Sequence, residues 1–230
     1  MTERPLAFLC DFDGTVSRAD IGAELVRRFG SGDRSGLERA LERWRADEIG
    51  HRELTEVECR QLELSEEEAV AFARGFALDA SFAPFAAEAL ARGHAVMVVS
   101  EGFEFYIADQ LRRADLAHVP YAANRLRFER GRAVPEFPYA DSSCGRCGNC
   151  KGARARDQRR LGYEVVMVGD GLSDRCGARA ADRVMARGEL LEWCRREGIP
   201  AEPFADFGDM ARLARRFDPA LGRAKVGEGP

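Results

Sequence analysis

Asp11-Phe12-Asp13-Gly14-Thr15 directly follows an apolar run, Leu6 to Cys10, whose length and composition predict a buried β-strand. Gly14 gives the chain freedom to turn sharply there. Both carboxylates then reach the mouth of the sheet, at the carboxyl end of a central strand, where open α/β folds place their ligands. Two carboxylates at this spacing suit phosphoryl transfer. One can attack phosphorus while the other protonates the leaving oxygen, so that a hard displacement becomes two easier ones through an aspartyl phosphate. Alone, the pair reads more readily as an exposed Asx turn after a strand.

Three later segments bear on that choice. Ala95 to Val99 is a second apolar strand run, ending in Ser100-Glu101-Gly102-Phe103, where a hydroxyl and backbone N–H groups can hold a phosphoryl oxygen. A third run, Glu164 to Val168, ends in Gly169-Asp170-Gly171-Leu172-Ser173-Asp174; Asp170 and Asp174 offer the hard oxygen ligands that Mg²⁺ prefers. Between them lies Lys151, a compact positive charge suited to phosphoryl oxygens.

In this order, Asp11/Asp13, Ser100, Lys151 and Asp170/Asp174 resemble the four-motif signature of the haloacid dehalogenase superfamily of phosphatases, over residues 6 to 174. The resemblance implies an α/β fold, a Rossmann-like core with a parallel sheet flanked by helices. It also implies catalysis by Asp11 and Asp13, with Mg²⁺ held by Asp11, the Asp13 carbonyl and Asp170. Ser100 and the Gly102 amide would orient phosphate oxygens, with Glu101 beside them on the substrate side. Lys151 would offset negative charge, and Asp174 would hold Lys151 or a metal-bound water. Within the superfamily the chain resembles the branch of phosphoserine phosphatase and the methionine-salvage phosphatase of 2-hydroxy-3-keto-5-methylthiopentenyl-1-phosphate. Ser100-Glu101-Gly102-Phe103-Glu104-Phe105-Tyr106, Cys147-Gly148-Asn149-Cys150-Lys151 and Ala186-Arg187-Gly188-Glu189 are closer to the second of these. A different small phosphorylated metabolite remains open as substrate, because fold does not determine substrate.

Residues 17–80 show helical periodicity, with Ile21, Leu25, Val26 and Phe29, then Leu37, Leu41 and Trp44, then Leu54, Val57 and Leu62. Ser65 with Glu68 is a capping-box signal for a further helix through Phe76. The resemblance makes this insertion a helical cap domain over a core formed by residues 1–16 and 81–217. Asp20 then lies where related phosphatases send a carboxylate towards substrate, and Arg60 or Arg52 of the cap can meet an anionic group. All three read more simply as charges on solvated helix faces. Phe103 is expected at the ligand, and Phe105 and Tyr106 in the core. Further along, the pattern predicts helices over Phe82–Arg92, Phe103–Ala114, Lys151–Leu161, Glu189–Glu197 and Met210–Phe217. It also predicts an edge hairpin, Leu126–Phe128 with Ala133–Phe137, joined across Arg130-Gly131-Arg132, and a short strand at Asp182–Met185. The tail, 218–230, has no apolar pattern and is expected to be disordered.

The chain has 230 residues, of which 45% are hydrophobic, enough for one sizeable core with a small lobe. A formal charge of −4 gives no field favouring nucleic acid or a membrane surface. With no apolar run long enough to span a bilayer and no charged leader before an apolar one, a cytoplasmic protein is expected, as monomer or homodimer. Seven cysteines fit reduced thiols rather than a disulfide framework. Cys10, Cys59, Cys176 and Cys194 read as small buried hydrophobes. Cys144, Cys147 and Cys150 can converge on a structural Zn²⁺, with Asp141 as a candidate fourth ligand, or remain free thiols in a Gly-rich loop. His51, His94 and His118 have no partner at metal-ligand spacing and read as structural. Two other functions compete. A dehalogenase of the same superfamily would need the first Asp but neither Asp13 nor the Asp170/Asp174 pair. A zinc-knuckle binding module would leave the carboxylates without a task.

Overall fold

The protein is described here from a computed structural model over residues 4–129 and 131–217. Strand β1 (Leu6–Cys10) is buried along its whole length and leads into a tight turn, Phe12–Val16. Four helices follow, α1 (Ile21–Phe29), α2 (Arg34–Arg45), α3 (His51–Gln61) and α4 (Glu66–Ala73). The chain continues with α5 (Phe82–Ala91), β2 (Ala95–Phe103), α6 (Glu104–Arg113), β3 (Tyr121–Glu129) and β4 (Arg132–Glu136). Next come α7 (Lys151–Arg160), β5 (Glu164–Gly169), α8 (Arg175–Ala180), β6 (Arg183–Ala186), α9 (Gly188–Glu197), β7 (Glu202–Pro203) and α10 (Phe207–Arg216).

Among the described residues the strands form one sheet in the order β4-β3-β2-β1-β5-β6-β7, parallel except for the antiparallel β3–β4 pair. β1 is central. Cys10 sits level with Val98 of β2 and Val168 of β5, so the segments after these three strands open at one edge of the sheet. Helices cover both faces, which is why the central strands read as unbroken apolar runs. On one face Phe8, Phe82, Phe85 and Phe207 interlock, with Phe8 and Phe85 edge to face at 5.0 Å and Phe82 and Phe207 at 4.8 Å. Buried aromatic pairs of this kind add to the area they remove from water.

The helical stretch between β1 and α5 leaves and rejoins the sheet at one place. Ser17 and Leu78 form an antiparallel bridge, and the Asp79 amide donates to the Val16 carbonyl at 2.8 Å. Ser65 and Glu68 form the reciprocal capping box that the sequence foretells, and Asp20, not foreseen as a cap, accepts from the Ala23 amide at the start of α1. No described helix is long and apolar enough to cross a membrane.

Several elements differ from the sequence expectations. β2 does not end at Val99 but runs to Phe103 with a register shift, because residues 100–103 remain extended against β3. β3 starts at Tyr121, five residues before the expected hairpin arm, and its first half pairs in parallel with β2. Two consecutive small residues there, Ala122 and Ala123, carry little strand signal. β7 is only two residues long and escaped detection, α4 stops at Ala73, and α10 starts at Phe207 under an Asp206 cap. The tail, 218–230, and Arg130 of the hairpin turn lie outside the described residues.

Candidate active site

The Leu6–Cys10 strand delivers Asp11 to the sheet edge with its amide still paired to Val168 O at 2.9 Å. Its side chain is anchored on one oxygen: Oδ1 accepts from the Phe12 amide at 2.8 Å and from Lys151 Nζ at 2.6 Å. Gly14 adopts φ +76°, and a Cβ there would collide with the Asp170 carboxylate. Glycine at this position therefore serves both the turn and the close approach of the β1 and β5 ends. Thr15, fully buried, donates to Asp170 Oδ1 at 2.5 Å and ties the same two loops.

Lys151 opens α7 with 0% exposure and bridges Asp11 and Asp174. Burial alone would pull its ammonium down, but the two carboxylates hold it above the usual lysine range. Asp174 is equally buried. Its Oδ1 takes Lys151 while Oδ2 accepts the Asp170 and Gly171 amides, each at 3.1 Å. Of the two roles foreseen for Asp174, this is the holding of Lys151. Asp11 is pushed well above the carboxylate range, by burial and then by the Asp174 charge, against the pull of Lys151. Asp170 rises to about 6 for the same two reasons, burial and Asp174.

Oxygens of Asp11, Asp170 and Asp174 all lie within 4.8 Å of one another. Three crowded carboxylates against one ammonium leave negative charge that a divalent cation would neutralise, and the donors are the hard oxygens Mg²⁺ takes. The residues present fit that ion.

Asp13 is held by three donors. Its Oδ1 accepts from the Ile21 amide at 2.9 Å, and Oδ2 from Tyr106 Oη at 2.7 Å and Ser100 Oγ at 3.4 Å. Burial, then the nearby Asp20, push its carboxyl up to about 7 in spite of these bonds. Ser100 Oγ also accepts from the Gly102 amide at 2.8 Å. A Cβ on Gly102 would run into Tyr106 Oη and the Asp13 carboxylate, so the strand passes the site too closely for any side chain.

Three sequence expectations need correction. Tyr106 buries its ring as expected, yet its hydroxyl bonds Asp13, while Phe103 packs beside Phe105 and Tyr106 in the core. Glu101 is buried, and its Oε2 accepts from the Gly148 and Asn149 amides at 2.9 and 3.0 Å rather than facing substrate. Its partner is His51 of α3, whose Nδ1 lies 3.6 Å from the same oxygen, so this histidine joins the helical stretch to the sheet. Burial would raise Glu101, but the His51 contact and the Asn149 amide hold it below its usual range. The third correction concerns the cysteines. The fourth group beside Cys144, Cys147 and Cys150 is Cys176 of α8; Asp141 instead caps its own turn, accepting from the Ser143 and Cys144 amides.

Asp20 is exposed and caps α1, yet its charge reaches Asp13 and Glu58 of α3, whose carboxyl is pushed up to about 7, chiefly by burial. Arg60 is exposed at the end of α3 and makes no ion pair among the described residues, and Arg52 lies over the Phe137 ring at 5.0 Å. His94 is structural, bonded to the Leu6 amide and the Ala214 carbonyl. Arg187, quoted above only as part of a signature, donates to the Gly14 carbonyl and braces the first turn.

A carboxylate closing the central strand, a second carboxyl pushed up to about 7, a buried ammonium and a cluster of hard oxygen ligands meet at the carboxyl edge of a parallel sheet, an arrangement suited to a phosphoryl-transferring α/β hydrolase. The chain belongs to the haloacid dehalogenase-like hydrolase family, whose match spans residues 8–179. Over 220 residues it is 30% identical to the 2-hydroxy-3-keto-5-methylthiopentenyl-1-phosphate phosphatase of Geobacillus kaustophilus, covering 94% of this chain and 98% of that one. The phosphatase of the same name from Brevibacillus brevis is 28% identical over 217 residues, covering 93% and 96%. In fold it is similar to a phospho-aspartyl intermediate analogue of phosphoserine phosphatase, with a TM-score of 0.70 at 19% identity, over 93% of this chain and 99% of that one.

Proposed function

We propose that this protein is a Mg²⁺-dependent, cytoplasmic phosphatase of a small phosphorylated metabolite, with 2-hydroxy-3-keto-5-methylthiopentenyl-1-phosphate as its substrate. The observation that carries the chemistry is the buried Lys151 bridge between Asp11 and Asp174, facing Asp13 across the β1 turn. The substrate assignment rests on the two relatives that carry that name.

Because Oδ1 of Asp11 is occupied by Lys151 and the Phe12 amide, Oδ2 is the oxygen that attacks phosphorus. As the P–O ester bond breaks, the Asp13 carboxyl gives its proton to the departing alkoxide oxygen. Asp13, now a carboxylate, takes a proton from a water that attacks the aspartyl phosphate; the acyl phosphate bond breaks and inorganic phosphate leaves. Lys151 offsets the charge accumulating on the phosphoryl oxygens, and Ser100 Oγ and the Gly102 amide orient one of them. Asp11, Asp170 and the Asp13 carbonyl would hold Mg²⁺, which when bound supplies Lewis-acid stabilisation of the phosphoryl oxygens. Asp174, through Lys151 and two amides, would position the ammonium beside that ion and add its charge to the ion's surroundings.

The four-helix stretch acts as a lid, hinged where Ser17 bridges Leu78. His51, Glu58 and Asp20 bring its polar groups towards Asp13 and Glu101, and closure would exclude water. Substrate selection therefore lies with this lid, with Asp20, Arg60 and Arg52 as candidates on its rim.

A panel of phosphorylated metabolites ranked by kcat/KM with Mg²⁺ tests the reading, with chelator as control. The methylthiopentenyl phosphate should lead, chelator should abolish turnover, and Asp11→Asn should be folded and inactive. Preference for phosphoserine would overturn the substrate assignment, and full turnover by Asp11→Asn would remove the covalent route.

A further inference from the structure

We propose that Cys144, Cys147, Cys150 and Cys176 bind one structural zinc ion as a tetrathiolate, and that this ion staples together the two segments that carry Lys151 and Asp174. The sulfur spacing is the first argument. Zinc–thiolate bonds of about 2.3 Å in a tetrahedron place the sulfurs about 3.8 Å apart. Here Cys144 Sγ lies 3.6 Å from Cys147 Sγ and 4.0 Å from Cys176 Sγ, and Cys147 and Cys176 are 3.7 Å apart. All four sulfurs fall within 4.8 Å of one another, and none is joined in a disulfide. A disulfide would draw two of them to about 2 Å and leave the other pair apart.

The loop is shaped for the purpose. Gly145 adopts φ +67° between Cys144 and Cys147, turning the chain back so that both sulfurs face inward, and Asp141 caps the turn that precedes them. Cys150 is the cap residue of α7 and Cys176 the second residue of α8. These helices approach closely: a Cβ on Gly152 would meet the Cys176 carbonyl at 2.7 Å, and one on Gly177 would meet Lys151 Cβ at 3.1 Å. The four ligands thus come from two segments distant in sequence, the setting in which one ion stabilises most by closing a long loop.

Cys150 immediately precedes Lys151, and Cys176 follows Asp174 by a single residue, Arg175. Locking the two thiolates fixes the bases of the Lys151–Asp174 pair. The same loop touches the lid. Arg146, between the first two cysteines, donates to the Asp47 and Ile49 carbonyls, and its own carbonyl accepts from the Arg52 amide at 3.1 Å. Zinc would therefore hold both the ammonium and a landing place for the helices above it.

The stapling half of the inference rests on the phosphatase reading; the zinc site does not, and the test separates them. The full chain, expressed with zinc supplied and purified without chelator, should carry about one zinc per chain by plasma mass spectrometry. Asp11→Asn should carry the same amount whether or not the enzyme proves to be a phosphatase. Replacement by Co²⁺ should give thiolate charge-transfer and tetrahedral d–d absorption bands. Cys176→Ser should lose zinc to a competing chelator at least ~10-fold more readily, the lower end of what even outer partners of a site cost. Removing zinc from the wild-type chain in the presence of Mg²⁺ should lower kcat at least tenfold with KM little changed. A folded wild-type chain with four titratable thiols and no metal, with a disulfide, or with iron instead of zinc overturns the site. Undiminished kcat after proven zinc loss overturns the staple.

Discussion

Tyr106→Phe removes one hydroxyl and little volume, and it isolates what sets the Asp13 proton. That hydroxyl donates to Asp13 Oδ2 at 2.7 Å from a fully buried ring, and its bond favours the carboxylate form. A hydrogen bond to a charged group contributes about 1.5–3 kcal/mol, and one pKa unit corresponds to about 1.4 kcal/mol. Asp13 retains the Ile21 amide, so the lower figure applies, and its pKa should rise from about 7 by roughly one unit. In the first half-reaction Asp13 must be protonated. The rate of alcohol release should therefore fall as pH rises through about 7 in the wild type and through roughly 8 in the variant. Rapid-quench single turnovers of the best alkyl phosphate, from pH 5.5 to 9.5, measure this directly. An aryl phosphate, whose leaving group needs no proton, serves as control and should show no such limb. If the variant's limb stays at the wild-type pH or moves down while its melting temperature is unchanged, Tyr106 does not govern Asp13 and the acid assignment fails.

Other substitutions probe the rest of the site. Lys151→Ala leaves Asp11 and Asp174 buried without their cation; a loss of about 3–5 kcal/mol should lower the melting temperature by roughly 10 °C and abolish turnover, and an unchanged melt would contradict the bridge. Gly102→Ala drives a methyl into Tyr106 and Asp13, so kcat should drop at least tenfold for about 1–3 kcal/mol of stability; wild-type kinetics would show that the strand has room to move. Glu58 binds a proton in the fold that the unfolded chain releases, because its pKa rises from 4.5 to about 7. Stability is then lost as pH climbs through that window, by ~3 kcal/mol at most and roughly 1–2 after allowing for its partial exposure. Glu58→Gln should match the wild type at pH 4.5 and exceed it at pH 8 in denaturant melts, and equal stability at both would remove the buried-acid reading.

The sequence was most legible where function and local structure coincide. Asp11, Ser100 and Asp170 each close an apolar strand run, so their convergence follows from a parallel sheet with those strands adjacent. Lys151 and Asp174 had no such local signal, and their meeting was carried by resemblance alone. What stayed hidden was long-range or two-faced. Cys176 joins a cluster 32 positions from Cys144, and a single cysteine at a helix start looks like any small hydrophobe. Tyr106 satisfies an apolar pattern with its ring while its hydroxyl does something else. His51 gains meaning only once α3 lies against Glu101, a contact no periodicity encodes. The first half of β3 failed for a different reason, since Ala and Asn have weak strand propensity and are held there by β2.

The paired crossing of Ser17 and Leu78 has a bearing on how such a protein can change. Because the chain departs and returns through adjacent positions, the sheet bears almost the same conformational restraint whatever length of polypeptide hangs from that neck. Helices there can be shortened, exchanged or rebuilt without moving Asp11, Lys151 or Asp170. The cluster of Asp11, Lys151 and Asp170 thus lies across a narrow junction from helices that reach it through the Ile21 amide and the Asp20 charge on Asp13, so those two contacts are the ones a rebuilt stretch would have to keep.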